Sequence, residues 1–217
     1  QTFHAPLGEI RLNEHFYGEF VQWMGKNQWF PMPEKALDDI RQQWIGWQKT
    51  GMTMAYRSNY FHGGYVMPFF STRQAGEFLQ FTHTHGSVGF YGDSLFENWS
   101  TRGLELYLHM RLLKNPEQDI ETIRREYFSA FGPASELVQQ YFDYWEEYSH
   151  RVVNTMDWPA WGLAQLTGAP SVYPESVFDP AFALLAKAAE TAGRHHESEY
   201  CERVEFLRTG LEHARLA

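Results

Sequence analysis

A single cysteine, Cys201, stands among the 217 residues. No intramolecular disulfide can form, cysteine usage leaves the redox compartment open, and no Cys pair is present to seed a thiolate zinc site. Basic residues are scarce: 18 Lys and Arg face 27 Asp and Glu, for a formal net charge of -9. Nucleic acids and anionic membranes both require clustered cations, so neither is an expected partner. No apolar run reaches the ~18 residues that a membrane-spanning helix needs. The sequence also lacks G-x-G-x-x-G, the P-loop and the G-x-S-x-G nucleophile elbow, which removes the usual signatures of nucleotide binding and of serine hydrolases. The chain opens at Gln1 with neither an initiator Met nor a signal peptide, as a processed protein or a fragment would.

What is abundant is aromatic. Phe, Trp and Tyr make up 17% of the chain, with eight Trp. Ring faces stack on the C–H faces of sugars and equally well on one another in an ordinary core, so composition alone leaves both uses open. The 43% hydrophobic and 21% charged content is that of a folded globular protein.

Along the chain, Phe16-Tyr17-Gly18-Glu19-Phe20-Val21-Gln22-Trp23 is rich in β-formers and is closed by Gly25, Asn27, Pro31 and Pro33. Over 33–50 the period becomes helical through Leu37, Ile40, Trp44 and Trp47, with Gly51 where a helix-ending glycine belongs. Residues 52–57 predict a second strand, 72–85 a second helix closed by Gly86, and 87–91 a third strand. This alternation suits parallel crossover units, yet three strands leave both sheet edges open, as the end of a larger sheet would. Beyond Thr101 the chain turns helical. Breaks fall at Asn115-Pro116 and Gly132-Pro133, a Trp/Pro/Gly-rich connection spans about 154–179, and final helices run over 180–193 and 197–214.

Parallel β/α units meet ligands at the loops leaving the C-terminal ends of strands. That rule selects Trp23 and Asn27 after the first strand, and Arg57, Asn59, Tyr60 and His62 after the second. After the third it selects Tyr91, Asp93, Glu97, Asn98 and Trp99, where two carboxylates, an amide and two rings fall within nine residues. Carboxylates hydrogen-bond paired sugar hydroxyls or act as general acid or base, and rings supply a stacking platform. Helix capping, the plainer use for Asp93 and Glu97, is better served by Ser100 or Thr101. Glu19, inside a strand, is costly to bury unless it is used in chemistry or paired with Arg57. The run Thr82-His83-Thr84-His85-Gly86 suggests a metal only if it is a strand. The helical period reaches Gly86, so the two rings are expected to diverge in a last helical turn. His195-His196 reads as a solvated turn.

Several segments resemble an uncharacterised bacterial domain family found in large, often exported polysaccharide-utilisation proteins. They are Trp47-Gln48-Lys49-Thr50-Gly51 leading to Ala55-Tyr56-Arg57, Met67-Pro68-Phe69, and His85-Gly86-Ser87-Val88-Gly89-Phe90-Tyr91-Gly92. The stretches from Gly103-Leu104-Glu105 to Asn115-Pro116 and from Glu126-Tyr127-Phe128 to Pro133-Ala134, and the opening Phe3-His4-Ala5-Pro6-Leu7, resemble it too. That family is similar to the barrels of α-glucuronidases and β-hexosaminidases. The resemblance implies an α/β fold class: residues 1–100 as the last strands of a (β/α)8-type barrel, and residues 101–217 as an all-α helical domain. It implies a glycoside hydrolase acting on polysaccharide or oligosaccharide, with no cofactor, exported, and with the rest of the barrel preceding Gln1. The acid/base carboxylates of such barrels follow an earlier strand, so a non-catalytic carbohydrate-binding or scaffolding module is the alternative. The expected site has Tyr56, Tyr60, Tyr91 and Trp99 as ring platforms, Asn59, Asp93 and Glu97 as hydroxyl partners, and Arg57 and His62 as further contacts. Asp93 and Glu97 are the catalytic candidates.

Overall fold

A computed structural model describes residues 4–13, 15–21, 30–58, 66–92, 99–155, 172–194 and 198–217. Strands β1 (Tyr17–Val21), β2 (Thr53–Ser58) and β3 (Ser87–Gly92) alternate with helices α1 (Glu34–Gln48) and α2 (Thr72–Thr84). There follow α3 (Trp99–Lys114), α4 (Ile120–Ser129), α5 (Ser135–Thr155), α6 (Asp179–Gly193) and α7 (Ser198–Leu216). The chain is mostly helical, with a small three-stranded parallel sheet of order β1-β2-β3.

The expected elements form within one or two residues of their predicted bounds because their start and stop signals are local. Gly51 and Gly86 take φ of 84° and 80°, a left-handed conformation that a side chain would strain, and so end α1 and α2. The Ser71 hydroxyl accepts from the Gln74 amide to cap α2, and Asp119 accepts from the Thr122 amide at 2.7 Å to cap α4. Capping and Arg125 hold the Asp119 carboxyl below its usual range. Ser100 and Thr101, expected as caps, instead lie buried inside the first turn of α3, which begins at Trp99.

Register puts Phe20, Tyr56 and Phe90 in one row across the sheet. Each meets a different helix. Trp44 of α1 stands edge-on to Phe20 with ring centroids 5.2 Å apart, Phe78 of α2 does the same to Tyr56 at 5.2 Å, and His109 of α3 lies 5.5 Å from Phe90. Three successive helices therefore cover the same face. Trp44 also donates its indole N–H to the His85 carbonyl at 3.0 Å, tying α1 to the end of α2. Truncating Phe78, wholly buried, removes contacts worth about 3–5 kcal/mol.

The apolar core is continuous from Phe30 through Leu104 and Trp145 to Ala214, so sheet and helices share one interior across residue 100. The segment 4–13 runs along α1: the Ala5 amide donates to Gln43 Oε1 at 2.6 Å, and the Leu12 amide to the Thr50 carbonyl at 2.8 Å. Among the described residues no helix is long and apolar enough to cross a membrane.

Candidate functional site

Strands expose alternate side chains on opposite faces, so the face away from the helices carries Tyr17, Glu19, Val21, Arg57 and Tyr91. Its outer positions are exposed, Tyr17 at 60% and Tyr91 at 51%, while Ala55 at its middle is buried. Arg57 is the hub of that face. The Arg57 Nε lies 4.0 Å from Glu19 Oε2, and its guanidinium carbon 5.6 Å from the Tyr91 ring centroid. The pairing of Glu19 with Arg57 is thus formed, but half-exposed rather than buried, so solvent screens it. Arg57 and Tyr91 lie one residue from the C-terminal ends of β2 and β3, where the loops leave, and Glu19 lies at the middle of β1.

Tyr56 lies elsewhere. Expected as a ring platform, it is a core residue instead, packed between Phe78 and Phe90 on the helix-covered face. The physical reason is strand alternation: Tyr56 and Arg57 are consecutive and must point to opposite faces. Burial and the nearby Glu105 carboxylate push its phenol well above its ordinary pKa. Trp99, half exposed, opens α3 just after the β3 connection. The candidates Asn59, Tyr60, His62, Asp93 and Glu97 lie outside the described residues, as do Trp23, Asn27, Asn98, His195 and His196. The structure therefore brings Arg57 and Tyr91 together with Glu19, and separates Tyr56 from them.

Behind the sheet, buried polar groups line the first turns of α3. Arg102 and Glu105, 3% and 0% exposed at the side chain, are paired at 2.8 Å. One turn on, the His109 Nδ1–H donates to the Glu105 carbonyl at 2.7 Å, and burial lowers its pKa to about 4, so the ring is neutral near pH 7. Sequence reading gave these residues no role, since each sits on a helix face that reads as ordinary amphipathic pattern.

A second buried cluster imitates catalytic wiring. Ser71 Oγ lies 2.9 Å from both Glu146 Oε1 and His150 Nε2. The hydroxyl donates to Glu146, so it can only accept from the His150 Nε2–H and from the Gln74 amide. A histidine that donates to the serine cannot serve as its base, and Ser71 is wholly buried, so this is no nucleophile. Glu146 also accepts from Thr72 Oγ1, the Arg73 amide, Arg73 Nη1 and Arg124 Nη1. It is the anion at the N-terminus of α2, docking that helix on α5.

The two histidines of the 82–86 run occupy the end of α2, His83 exposed and His85 tilted against Phe81 with centroids 4.1 Å apart. Among the described residues no three His, Cys, Asp or Glu side chains gather as a metal site.

Residues 5–143 match the model of a family described as a domain of unknown function, DUF4838. The chain belongs to the DUF4838 family. The matched span holds all three strands, the open face and the α2 anchor as far as Asp143, three residues short of Glu146. No curated protein and no solved structure matches the chain.

Proposed function

We propose that the open face of the sheet is the sugar-facing wall of a carbohydrate-active domain of glycoside-hydrolase type, its strands being three neighbours in a β/α barrel. One observation carries this reading: three consecutive parallel strands place every following helix on the same face and leave the other face lined by Glu19, Arg57 and Tyr91. Right-handed crossovers running in one direction put α1 and α2 on one face in a doubly wound sheet as well. The barrel is favoured because α3, which follows the last strand, stays on that same face, as helices around a barrel do, and the inner face is kept for packed side chains and ligand. The Tyr91 ring offers a stacking surface, and the Arg57 guanidinium and Glu19 carboxylate offer a donor and an acceptor for vicinal hydroxyls. Asp93 and Glu97, on the connection that leaves β3, are the carboxylates proposed to complete the site.

The non-catalytic alternative has its own support. Among the described residues the open face presents one carboxylate, Glu19, and it is engaged by Arg57, whereas glycoside hydrolysis ordinarily needs two carboxyl groups flanking the scissile bond.

The test is to run the chain through gels containing xylan, laminarin, pullulan or hydroxyethylcellulose, and to assay the same polysaccharides for new reducing ends. Retardation by one of them, weakened at least tenfold in Tyr91→Ala and in Asp93→Asn, is the expected result. Retardation without new reducing ends favours the binding module. Migration unaffected by every glycan, or by Tyr91→Ala where wild type is retarded, removes the open face from carbohydrate recognition.

A further inference from the structure

Away from the sheet, a groove of about 410 Å3 lies between the last turn of α4 and the face of α7. That volume is within the range of small-molecule sites. Its floor is apolar and aromatic: Tyr127 and Phe131, with centroids 5.8 Å apart and planes at 55°, form a corner, and Leu207 closes it. Phe206 stands at the mouth, 53% exposed, on a surface where a large ring gains nothing from solvent.

The rim is charged, and its charges are unequally compensated. Arg203 reaches across the groove, donating to the Ala130 carbonyl and to Glu199. Both its fork and the Glu199 carboxylate are thereby occupied. Glu202, one helical turn from Phe206 on the same face, has no ion-pair partner among the described residues. The groove also opens at the C-terminal end of α4, where Arg203 already caps the Ala130 carbonyl. An aromatic floor and an uncompensated carboxylate both raise the affinity for positive charge.

We infer that this groove is a binding site for a small organic ammonium ion, its alkyl part on Tyr127, Phe131 and Phe206 and its charge toward Glu202. An uncharged apolar occupant would strip water from Glu202 without replacing it. An anion would be repelled by the Glu202 carboxylate. A bare metal ion would leave the rings unused. The site is independent of the carbohydrate reading, since it lies on other elements and uses other residues.

The experiment is an amide-resolved NMR titration of the 15N-labelled chain with n-butylammonium, n-butanol and n-butyrate in parallel. The inference expects saturable shifts confined to residues 127–131 and 199–207, with n-butylammonium binding at least tenfold more tightly than n-butanol and n-butyrate not binding. Glu202→Gln, an exposed substitution that should leave the spectrum otherwise intact, is expected to abolish the preference for the cation, and Phe206→Ala to weaken both butyl ligands. Equal binding of n-butanol, an undiminished cation preference in Glu202→Gln, or absence of saturable shifts in the groove each overturns it.

Discussion

The Glu146 carboxylate, almost wholly buried, collects five donors from Ser71, Thr72, Arg73 and Arg124. Such a group is well satisfied where it is and costly to alter, because its removal strands the buried Arg124 beside fewer anions. Glu146→Gln should lower unfolding free energy by about 2–4 kcal/mol, read from urea denaturation. His109 supplies a second measurable effect. Its pKa is lowered to about 4 by burial, against roughly 6.5 for an unfolded histidine. The unfolded chain therefore binds the proton more readily between those values. The stability associated with the neutral ring is fully present above pH ~6.5 and is lost as pH falls toward 4, by at most about 3 kcal/mol. His150, also lowered by burial, has the same sign. Denaturation midpoints measured from pH 7.5 to 4.5 should fall for wild type and fall less in His109→Gln.

At the scale of elements, close approaches between helices decide more than propensity does. Gly210 of α7 crosses Ser100 of α3 so closely that a Cβ at Gly210 would overlap the Ser100 side chain. Gly→Ala in an open helix gains ~1 kcal/mol; here Gly210→Ala should instead lower the thermal midpoint, and adding Ser100→Gly should restore most of the loss. Gly132 is a second such point, with φ of 53° and the Tyr200 ring against the place of its missing side chain. The elements themselves were legible beforehand, since the Leu37–Ile40–Trp44 stripe, Gly51, Gly86 and the Asn115-Pro116 break are signals read within a few residues of where they act. The faces were less so. Tyr56 and Arg57 both looked like rim residues because a strand's end was expected to deliver its neighbours to one place; alternation delivers one to the core and one to the open side.

For the whole molecule, one apolar interior runs from the sheet into α7, and the Arg73–Glu146–Arg124 network joins α2 to α4 and α5. Unfolding should accordingly be a single transition, with tryptophan fluorescence and far-ultraviolet circular dichroism giving coincident urea curves. Two separate transitions would mean that the sheet and the helices are independent units. From the sequence alone came the order and type of the elements among the described residues, the parallel character of the crossovers and the lack of a long apolar run, because hydrophobic period and Gly/Pro punctuation are local and survive without any fold. Tertiary structure alone decided that all three helices cover one face of the sheet, that Glu19, Arg57 and Tyr91 meet on the other, and that Ser71, Arg124 and Glu146 converge. The reason is distance along the chain. These partners lie from 22 to 75 residues apart in the chain, and nothing in a local pattern states which distant side chain will supply the missing half of an ion pair.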